Sequence, residues 1–120
     1  MSGFMYRRIK AFLDAFRGGF TLCRTQVHAW IHASATIAVC SAGMYIGVST
    51  VEWAILGFAI AIVWIAEALN TAIEFLADEV TLERREGIQQ AKDVAAFGVL
   101  VAAFAAAFAG FLVFRSHMPW

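Results

Sequence analysis

Three long stretches of this sequence are predominantly apolar, and they limit the fold more than any other feature. They cover residues 28–48, 51–77 and 94–114. At about 1.5 Å per residue, each is long enough to cross the roughly 30 Å hydrocarbon layer of a bilayer as a helix. The composition agrees, because 62% of the 120 residues are hydrophobic and only 15% are charged, which is unlike a soluble domain. The sequence therefore predicts an all-α membrane protein with three transmembrane helices.

The lysines and arginines are unevenly distributed, and their positions predict the topology. None lies between residues 25 and 83; the basic residues before and after this gap are Arg7, Arg8, Lys10, Arg17 and Arg24, then Arg84, Arg85, Lys92 and Arg115. By the positive-inside rule, the N-terminus and the segment 79–93 lie on the cytoplasmic side, and the turn at 49–52 lies outside. Trp30 then marks the inner interface, and Trp53 and Trp120 mark the outer one.

The segment before the first span, about residues 4–23, has the pattern of an amphipathic helix. Its apolar positions recur at helical spacing: Phe4, Met5, Ile9, Phe12, Leu13, Phe16 and Phe20. Its charged residues fall on the other side: Arg7, Lys10, Asp14, Arg17 and Arg24. Such a helix lies on the inner leaflet, with its basic groups among anionic head groups. The alternative, a helix that covers a soluble core, fits poorly with three spans, and the interspersed charges argue against a cleaved signal sequence.

The second span carries a polar stripe at its C-terminal end. At about 100° per residue, Glu67, Asn70, Glu74 and Asp78 fall within roughly 80° of one another, so they share one helix face. A carboxylate in hydrocarbon costs about 2.5 to 3.5 kcal/mol, so these groups require a metal, a partner or a function. The alternative to a functional site is a set of interhelical hydrogen bonds that hold an oligomer together.

The depth of the stripe in the bilayer suggests its chemistry. Glu67 lies about 21 Å and Glu74 about 31 Å from Trp53 along the helix. A lipid hydroxyl can then reach Glu67 from the membrane, while a soluble phosphate donor and its metal reach Glu74 from the cytoplasm. Lys92 and Asp93, at the start of the third span, bring a charge pair to the same boundary. Because such oxygen ligands suit Mg²⁺ bound to phosphates, the pattern favours phosphoryl transfer.

The third span predicts close helix packing and an oligomer. Its small-residue row, Gly98, Ala102, Ala106 and Gly110, has one member per four residues and lets another helix approach closely. Three helices enclose a polar stripe poorly, so we expect neighbouring copies of the chain to complete the bundle. No repeat, low-complexity segment or boundary divides the sequence, and we expect one membrane domain over residues 1–120.

Two segments together resemble the signature of a known family. They are Glu67-Ala-Leu-Asn70-Thr-Ala-Ile-Glu74-x-x-x-Asp78 and Ala91-Lys92-Asp93-Val94-Ala95-Ala96. They look like the small prokaryotic diacylglycerol kinase and undecaprenol kinase family, and the similarity covers nearly the whole chain. It implies a homotrimer in the bacterial cytoplasmic (inner) membrane with active sites between protomers. It also implies ATP with Mg²⁺ and a lipid alcohol as substrates, without a P-loop; no GxxxxGK[ST] motif occurs here.

The resemblance also implies roles for particular residues. Glu67 would accept the proton of the lipid hydroxyl, Glu74 would bind Mg²⁺, and Asn70 would orient the reacting groups. Contacts to the nucleotide and its phosphates would come from Asp78, Lys92 and Asp93, and more weakly from Arg7, Arg17, Glu83 and Arg85. Nucleic acid is not an expected partner.

The sequence departs from the family pattern just before the first span. Gln26 stands where the family commonly has a glutamate that completes the metal site with the position of Glu74. An amide oxygen can bind Mg²⁺ but brings no charge, so we expect Gln26 to be a weaker or water-mediated ligand. His32 and the segment 25–28 resemble the undecaprenol kinase branch of the family slightly more. Diacylglycerol and undecaprenol are both candidate acceptors.

Other interpretations apply to several of these features. The rival to a kinase is a non-catalytic oligomer, in which the stripe serves assembly or the passage of protons or cations. His28 and His32 lie four residues apart without a third soft ligand, so we expect packing or interface hydrogen bonds rather than metal binding. Cys23 and Cys40 are expected to be free thiols.

Overall fold

The structure, a computed structural model, describes residues 2–119 and consists there of four helices without strands. The helices are α1 (Gly3–Thr25), α2 (Val27–Ile46), α3 (Thr50–Val80) and α4 (Glu86–Arg115). The last three are each long and apolar enough to cross a membrane. The predicted all-α fold with three spanning helices is thus confirmed. Trp120, predicted to mark the outer interface, lies outside the described residues.

The helix boundaries differ from the prediction mainly at α4. The cytoplasmic segment 79–93 is mostly helical, because α3 continues to Val80 and α4 begins at Glu86, before the predicted third span at 94; the connection is only residues 81–85. Gln89 Nε2 donates to Asp93 Oδ1 at 2.9 Å, one turn apart within α4. Residues 86–93 have a helical backbone but polar side chains, so a prediction from hydropathy does not assign them to a membrane span. Hydropathy marks the part of a helix that suits lipid, not the point where its hydrogen bonding starts.

A tight turn joins α2 and α3 into an antiparallel hairpin. Gly47 ends α2 with φ 77°, a left-handed conformation that glycine adopts without steric cost. Ser49 then begins α3 through a capping box: its hydroxyl accepts from the Glu52 N–H at 3.2 Å, and the Glu52 carboxylate accepts from the Ser49 N–H at 3.0 Å. The same carboxylate bonds His117 Nε2 at 2.8 Å, which holds the end of α4 beside the start of α3.

Close packing of α2 on α3 near this turn depends on a glycine. A methyl carbon placed on Gly43 with ideal geometry would lie 2.8 Å from Trp53 Cη2, closer than carbon atoms approach. The outer edge of the Trp53 ring therefore lies against Gly43 of α2, beside the buried cluster of Val48, Leu56 and Val113. This cluster is the point where α2, α3 and α4 meet at the turn end of the molecule.

The most extensive contact in the molecule is between α3 and α4. The small-residue row contributes to it only in part: Ala102 is buried, whereas the space around Gly98 is open. Helix α1 makes little contact with the rest of the chain, and Leu22 is its one buried residue among those described. The phenylalanines of α1 are exposed: Phe4, Phe12, Phe16 and Phe20. Cys23 and Cys40 are free, as predicted.

The Gly43 contact leads to a stability prediction. We expect Gly43→Ala to lower the free energy of unfolding by about 1 to 2 kcal/mol, because overpacking against the Trp53 ring outweighs the better helix propensity of alanine. Reversible unfolding by denaturing detergent in micelles measures it. Gly57→Ala is the matched control, because a methyl group there meets nothing within 4 Å. Equal effects at the two glycines, or no recovery when Trp53→Leu is added to Gly43→Ala, would contradict the packing.

Candidate active site

The polar stripe lies along the C-terminal half of α3, and its exposure rises toward the helix end. Glu67 is buried, with 3% of its surface exposed. Asn70 and Glu74 are half-buried, and Asp78 is exposed. The predicted alignment on one face thus runs from the protein interior to the connection between α3 and α4.

Glu67 is paired with a histidine from the neighbouring helix. His32 Nε2, on α2, lies 3.3 Å from Glu67 Oε2. The two side chains are 17% and 4% exposed, respectively. An ionised carboxylate only accepts hydrogen bonds, so with Glu67 in that state Nε2 carries the hydrogen and donates it. The spacing of His28 and His32 predicts packing or interface hydrogen bonding for His32, and the structure specifies Glu67 as its partner.

The side chains of Asn70 and Glu74 lie next to each other further along the same face of α3. The Asn70 Nδ2 group donates to Glu74 Oε1 at 3.2 Å, which fixes the orientation of the amide. Asn70 Oδ1 and the hydroxyl of Thr71 are buried and have no hydrogen-bond partner within residues 2–119. A buried oxygen without a partner is costly, so a ligand here would relieve that cost.

Asn70 and Glu74 fit a magnesium site in which the substrate supplies the other ligands. Residues 2–119 contain no group of three or more His, Cys, Asp or Glu side chains placed to hold a metal. Mg²⁺, however, is usually bound by one or two carboxylates together with substrate phosphates and water. The Glu74 carboxylate and the free Asn70 carbonyl oxygen supply the right type of ligand for it.

A polar cleft of about 460 Å³ lies at the connection between α3 and α4. Four of the predicted nucleotide contacts line it: Asp78, Glu83, Arg85 and Lys92. Lys92 Nζ lies 3.2 Å from Asp78 Oδ1 and so joins the two helices across the cleft. Asp93 is adjacent and accepts its hydrogen bond from Gln89, another lining residue. The fold therefore brings together residues that are up to 14 positions apart in sequence.

Three of the predicted site residues are not joined to this group. Arg7 and Arg17 are exposed on α1, where Arg17 lies 3.6 Å from Asp14. Gln26 occupies the break between α1 and α2, and its amide donates to Thr25 Oγ1 at 3.4 Å. No hydrogen bond from Gln26 to Glu74 is present in the described chain. Their predicted roles as phosphate and metal ligands therefore stay predictions.

Sequence reasoning missed a set of polar contacts around His32. Trp64 Nε1 donates to Thr36 Oγ1 at 3.0 Å, and the Trp64 ring meets the His32 ring edge-on with centroids 6.2 Å apart. The only signal for this group was spacing, since Thr36 follows His32 by one turn and Trp64 precedes Glu67 by one turn. The spacing does not show that this face of α2 contacts this face of α3.

An apolar cleft of about 400 Å³ between α2, α3 and α4 reaches the same place. Alanines and Gly110 of α4 line one side, and Phe111 and Phe114 line the end near the turn. His32, Thr36 and Trp64 line the other end. An apolar space thus borders His32, the hydrogen-bond partner of the buried Glu67 carboxylate.

Comparison with known proteins identifies the family. A family model described as prokaryotic diacylglycerol kinase matches residues 14–114. The chain belongs to the prokaryotic diacylglycerol kinase family. It is also similar to the undecaprenol kinase of Bacillus subtilis (strain 168), with 36% identity over 108 residues, which are 90% of this chain and 88% of that protein. The protein is therefore a lipid kinase, as the resemblance of its motifs predicted, and the non-catalytic alternative is not supported.

The Lys92 and Asp78 pair of this kinase leads to a second prediction. Because the two side chains are 34% and 54% exposed, we expect their coupling free energy to be only about 0.2 to 1 kcal/mol. A double-mutant cycle of Asp78→Asn, Lys92→Gln and the double variant, with unfolding followed in micelles, measures it. Coupling well above about 2 kcal/mol would show that the pair holds α3 and α4 together as a buried ion pair. In that case a lost rate in these variants would not indicate nucleotide binding.

Proposed function

We propose that this lipid kinase transfers the γ-phosphoryl group of ATP, bound with Mg²⁺, to the hydroxyl group of a membrane lipid alcohol. The observation that carries the proposal is the arrangement along α3. A buried carboxylate, Glu67, is followed on one helix face by the oxygen pair of Asn70 and Glu74, and then by the charged cleft at Asp78 and Lys92. Base, metal ligands and nucleotide contacts would thus stand in the order that phosphoryl transfer needs.

Glu67 would act as the general base. Its Oε2 is engaged by His32, and Oε1 would accept the proton of the lipid hydroxyl as the oxygen attacks the γ-phosphorus. The burial of Glu67 supports this role, because few water molecules can compete with the lipid hydroxyl for its carboxylate. The hydroxyl would reach Glu67 from the lipid side, so access to this base would need no water-filled channel.

Asn70 and Glu74 would hold Mg²⁺ on the nucleotide side of Glu67, with Gln26 as a third, uncharged ligand. When bound, the ion would neutralise charge on the phosphate oxygens. Asn70 would keep two functions: its amide N–H group fixes Glu74, and its carbonyl oxygen faces the ion. Contact between Gln26 and this pair would require α1 to pack more closely against α3 than it does in the single chain.

The charged cleft would bind the nucleotide. The cationic groups of Lys92 and Arg85 suit the triphosphate, and Asp78 keeps Lys92 in place. Glu83 and Asp93 offer carboxylates for hydroxyl and amino groups of the nucleoside. Arg7 and Arg17 would reach phosphates from α1 of the same or a neighbouring protomer.

We favour undecaprenol as the acceptor and keep diacylglycerol as the second candidate. The relative with 36% identity is named an undecaprenol kinase, and the segment around His32 leans the same way. The apolar cleft supports a membrane-borne acceptor of either kind, because it ends at His32, the partner of Glu67.

The assembly would be a homotrimer in the bacterial cytoplasmic membrane, formed from one domain per chain with the N-terminus inside. One feature supports association: the space next to Gly98 in the small-residue row of α4 is open to another helix. Helix α1 would lie on the inner leaflet as an amphipathic surface helix, with its basic residues among anionic head groups.

The test of the base is Glu67→Gln, which keeps the shape of the side chain and removes its basicity. We expect the phosphorylation rate to fall by about 10²- to 10⁴-fold, with an unchanged oligomer and melting temperature. The assay follows radiolabelled ATP with undecaprenol and diacylglycerol in mixed micelles. Glu79→Gln is the matched control at an exposed position of the same helix. A Glu67→Gln protein that keeps its rate, or a wild-type protein that phosphorylates neither lipid, would contradict the proposal.

The role of Gln26 is tested through its charge. If Gln26 contributes to the metal site, Gln26→Glu should lower the Mg²⁺ concentration for half-maximal rate by about three- to tenfold, because a carboxylate binds the ion more strongly than an amide. Direct Mn²⁺ binding, followed by electron paramagnetic resonance, should strengthen in parallel. Gln90→Glu, at an exposed position of α4, makes the same chemical change away from the site. An unchanged metal dependence would place Gln26 outside the coordination sphere.

A further inference from the structure

Four side chains form a closed polar cluster between α2 and α3, which we call the His32 cluster: His32, Thr36, Trp64 and Glu67. Each helix contributes two members one turn apart, so the cluster has two cross-links between the helices. One is His32 Nε2 to Glu67 Oε2 at 3.3 Å, and the other is Trp64 Nε1 to Thr36 Oγ1 at 3.0 Å. The edge-on contact of the two rings joins the cross-links to each other.

The direction of the hydrogen bond between Trp64 and Thr36 is fixed by chemistry. The Thr36 hydroxyl has a single hydrogen, and it donates to the His32 carbonyl oxygen at 2.7 Å. Its lone pairs are then free for the Trp64 indole N–H group, which can only donate. The indole ring is therefore held in one orientation, and its contact with the imidazole limits the rotation of the His32 side chain.

We propose that His32 is a positioning residue for Glu67, and that Thr36 and Trp64 hold His32 in place for this task. The inference rests on the proposed function, in which Glu67 is the base. It adds a residue that does not itself touch the phosphate or the metal. His32 fixes Glu67 Oε2, so that Oε1 points to the acceptor.

A glutamate needs such a partner more than a shorter base would. Three side-chain torsions separate its carboxylate from the backbone, and a base displaced by about 1 Å loses on the order of 10²-fold in rate. His32 also borders the apolar cleft, so its ring lies beside the space from which a lipid hydroxyl would approach Glu67. The same imidazole can thus orient the base and line the approach to it.

The competing explanation is that the cluster only holds α2 against α3. The two explanations differ in what each variant changes. A purely structural role lowers stability and leaves the turnover of the folded protein unchanged, whereas a positioning role lowers kcat of the folded protein whatever the change in stability. Gln can imitate the imidazole donor, since its side-chain amide nitrogen reaches about as far as Nε2, and Leu cannot.

The experiment compares His32→Leu and His32→Gln in mixed micelles with ATP, Mg²⁺ and undecaprenol. We expect His32→Leu to lower kcat about 10- to 100-fold, with the KM for ATP changed less than about threefold. His32→Gln should recover most of this loss. Thr36→Val and Trp64→Phe, which remove one hydrogen-bonding group each, should lower kcat by about three- to tenfold.

Ser34→Ala is the matched control for Thr36→Val. Ser34 also donates to a carbonyl one turn back, that of Trp30 at 2.9 Å, but it is exposed on α2 and belongs to no cluster. Its removal should leave kcat unchanged. Melting temperature and oligomeric state are measured for every variant, so that a rate is assigned only to folded protein.

The outcomes separate this inference from the proposed function. If Glu67→Gln abolishes turnover and His32→Leu keeps the wild-type kcat, the positioning role of His32 is wrong, and the role of Glu67 as the base is supported. If Glu67→Gln stays active, the proposed function itself is wrong. Equal losses in His32→Gln and His32→Leu would also overturn the positioning role. Should His32→Leu not fold, an unchanged kcat in both Thr36→Val and Trp64→Phe would overturn the positioning role of His32.

Discussion

The burial of one carboxylate, Glu67, is the constraint on which the rest of the structure depends. In hydrocarbon a charge without a partner costs several kcal/mol, so α3 cannot place this group in the membrane alone. The neighbouring helix meets the requirement with His32, and this fixes the register of α2 against α3. The register is consistent with the turn end of the hairpin, where Gly43 lets Trp53 pack against α2. A polar contact near the connection and a close apolar contact near the turn thus specify the same alignment, and each would be lost if the helices slid by one turn.

Along α3 the environment changes from protein interior to water within about three turns, and this gradient gives the polar residues different properties. Glu67 is buried beside His32, the oxygen atoms of Asn70 and Glu74 follow at intermediate depth, and Asp78 shares an exposed ion pair with Lys92. A lipid substrate and a soluble nucleotide occupy different phases, and a single helix that crosses the boundary can present groups to both. The chain belongs to a family of lipid kinases, and the proposed transfer from a soluble nucleotide to a lipid would use both ends of this gradient.

The sequence predicted the spans well because hydropathy adds up over about 20 residues, so no single substitution hides a helix of that length. It predicted the shared face of Glu67 and Glu74 equally well, since residues on one helix are related by fixed angles. The start of α4 at Glu86 was missed because polar residues and a helical backbone are compatible. The contacts of Thr36 and Trp64 could not be predicted from the sequence, for a different reason. They depend on how two helices rotate and slide relative to each other, which is decided by the summed packing of many residues and has no local signature.

The small exposure of Glu67 also bears on how a kinase of this type would avoid hydrolysing ATP. A base open to the cytoplasm would activate water, which is present at far higher concentration than any lipid alcohol. With 3% of its surface exposed and His32 on one oxygen, Glu67 offers water little access. In the proposed mechanism a lipid hydroxyl would approach from the apolar side without a hydration shell of its own, so exclusion of water and selection of the acceptor would follow from the same burial. On this argument, variants that open the His32 cluster should raise the fraction of ATP lost to water as they lower transfer to lipid.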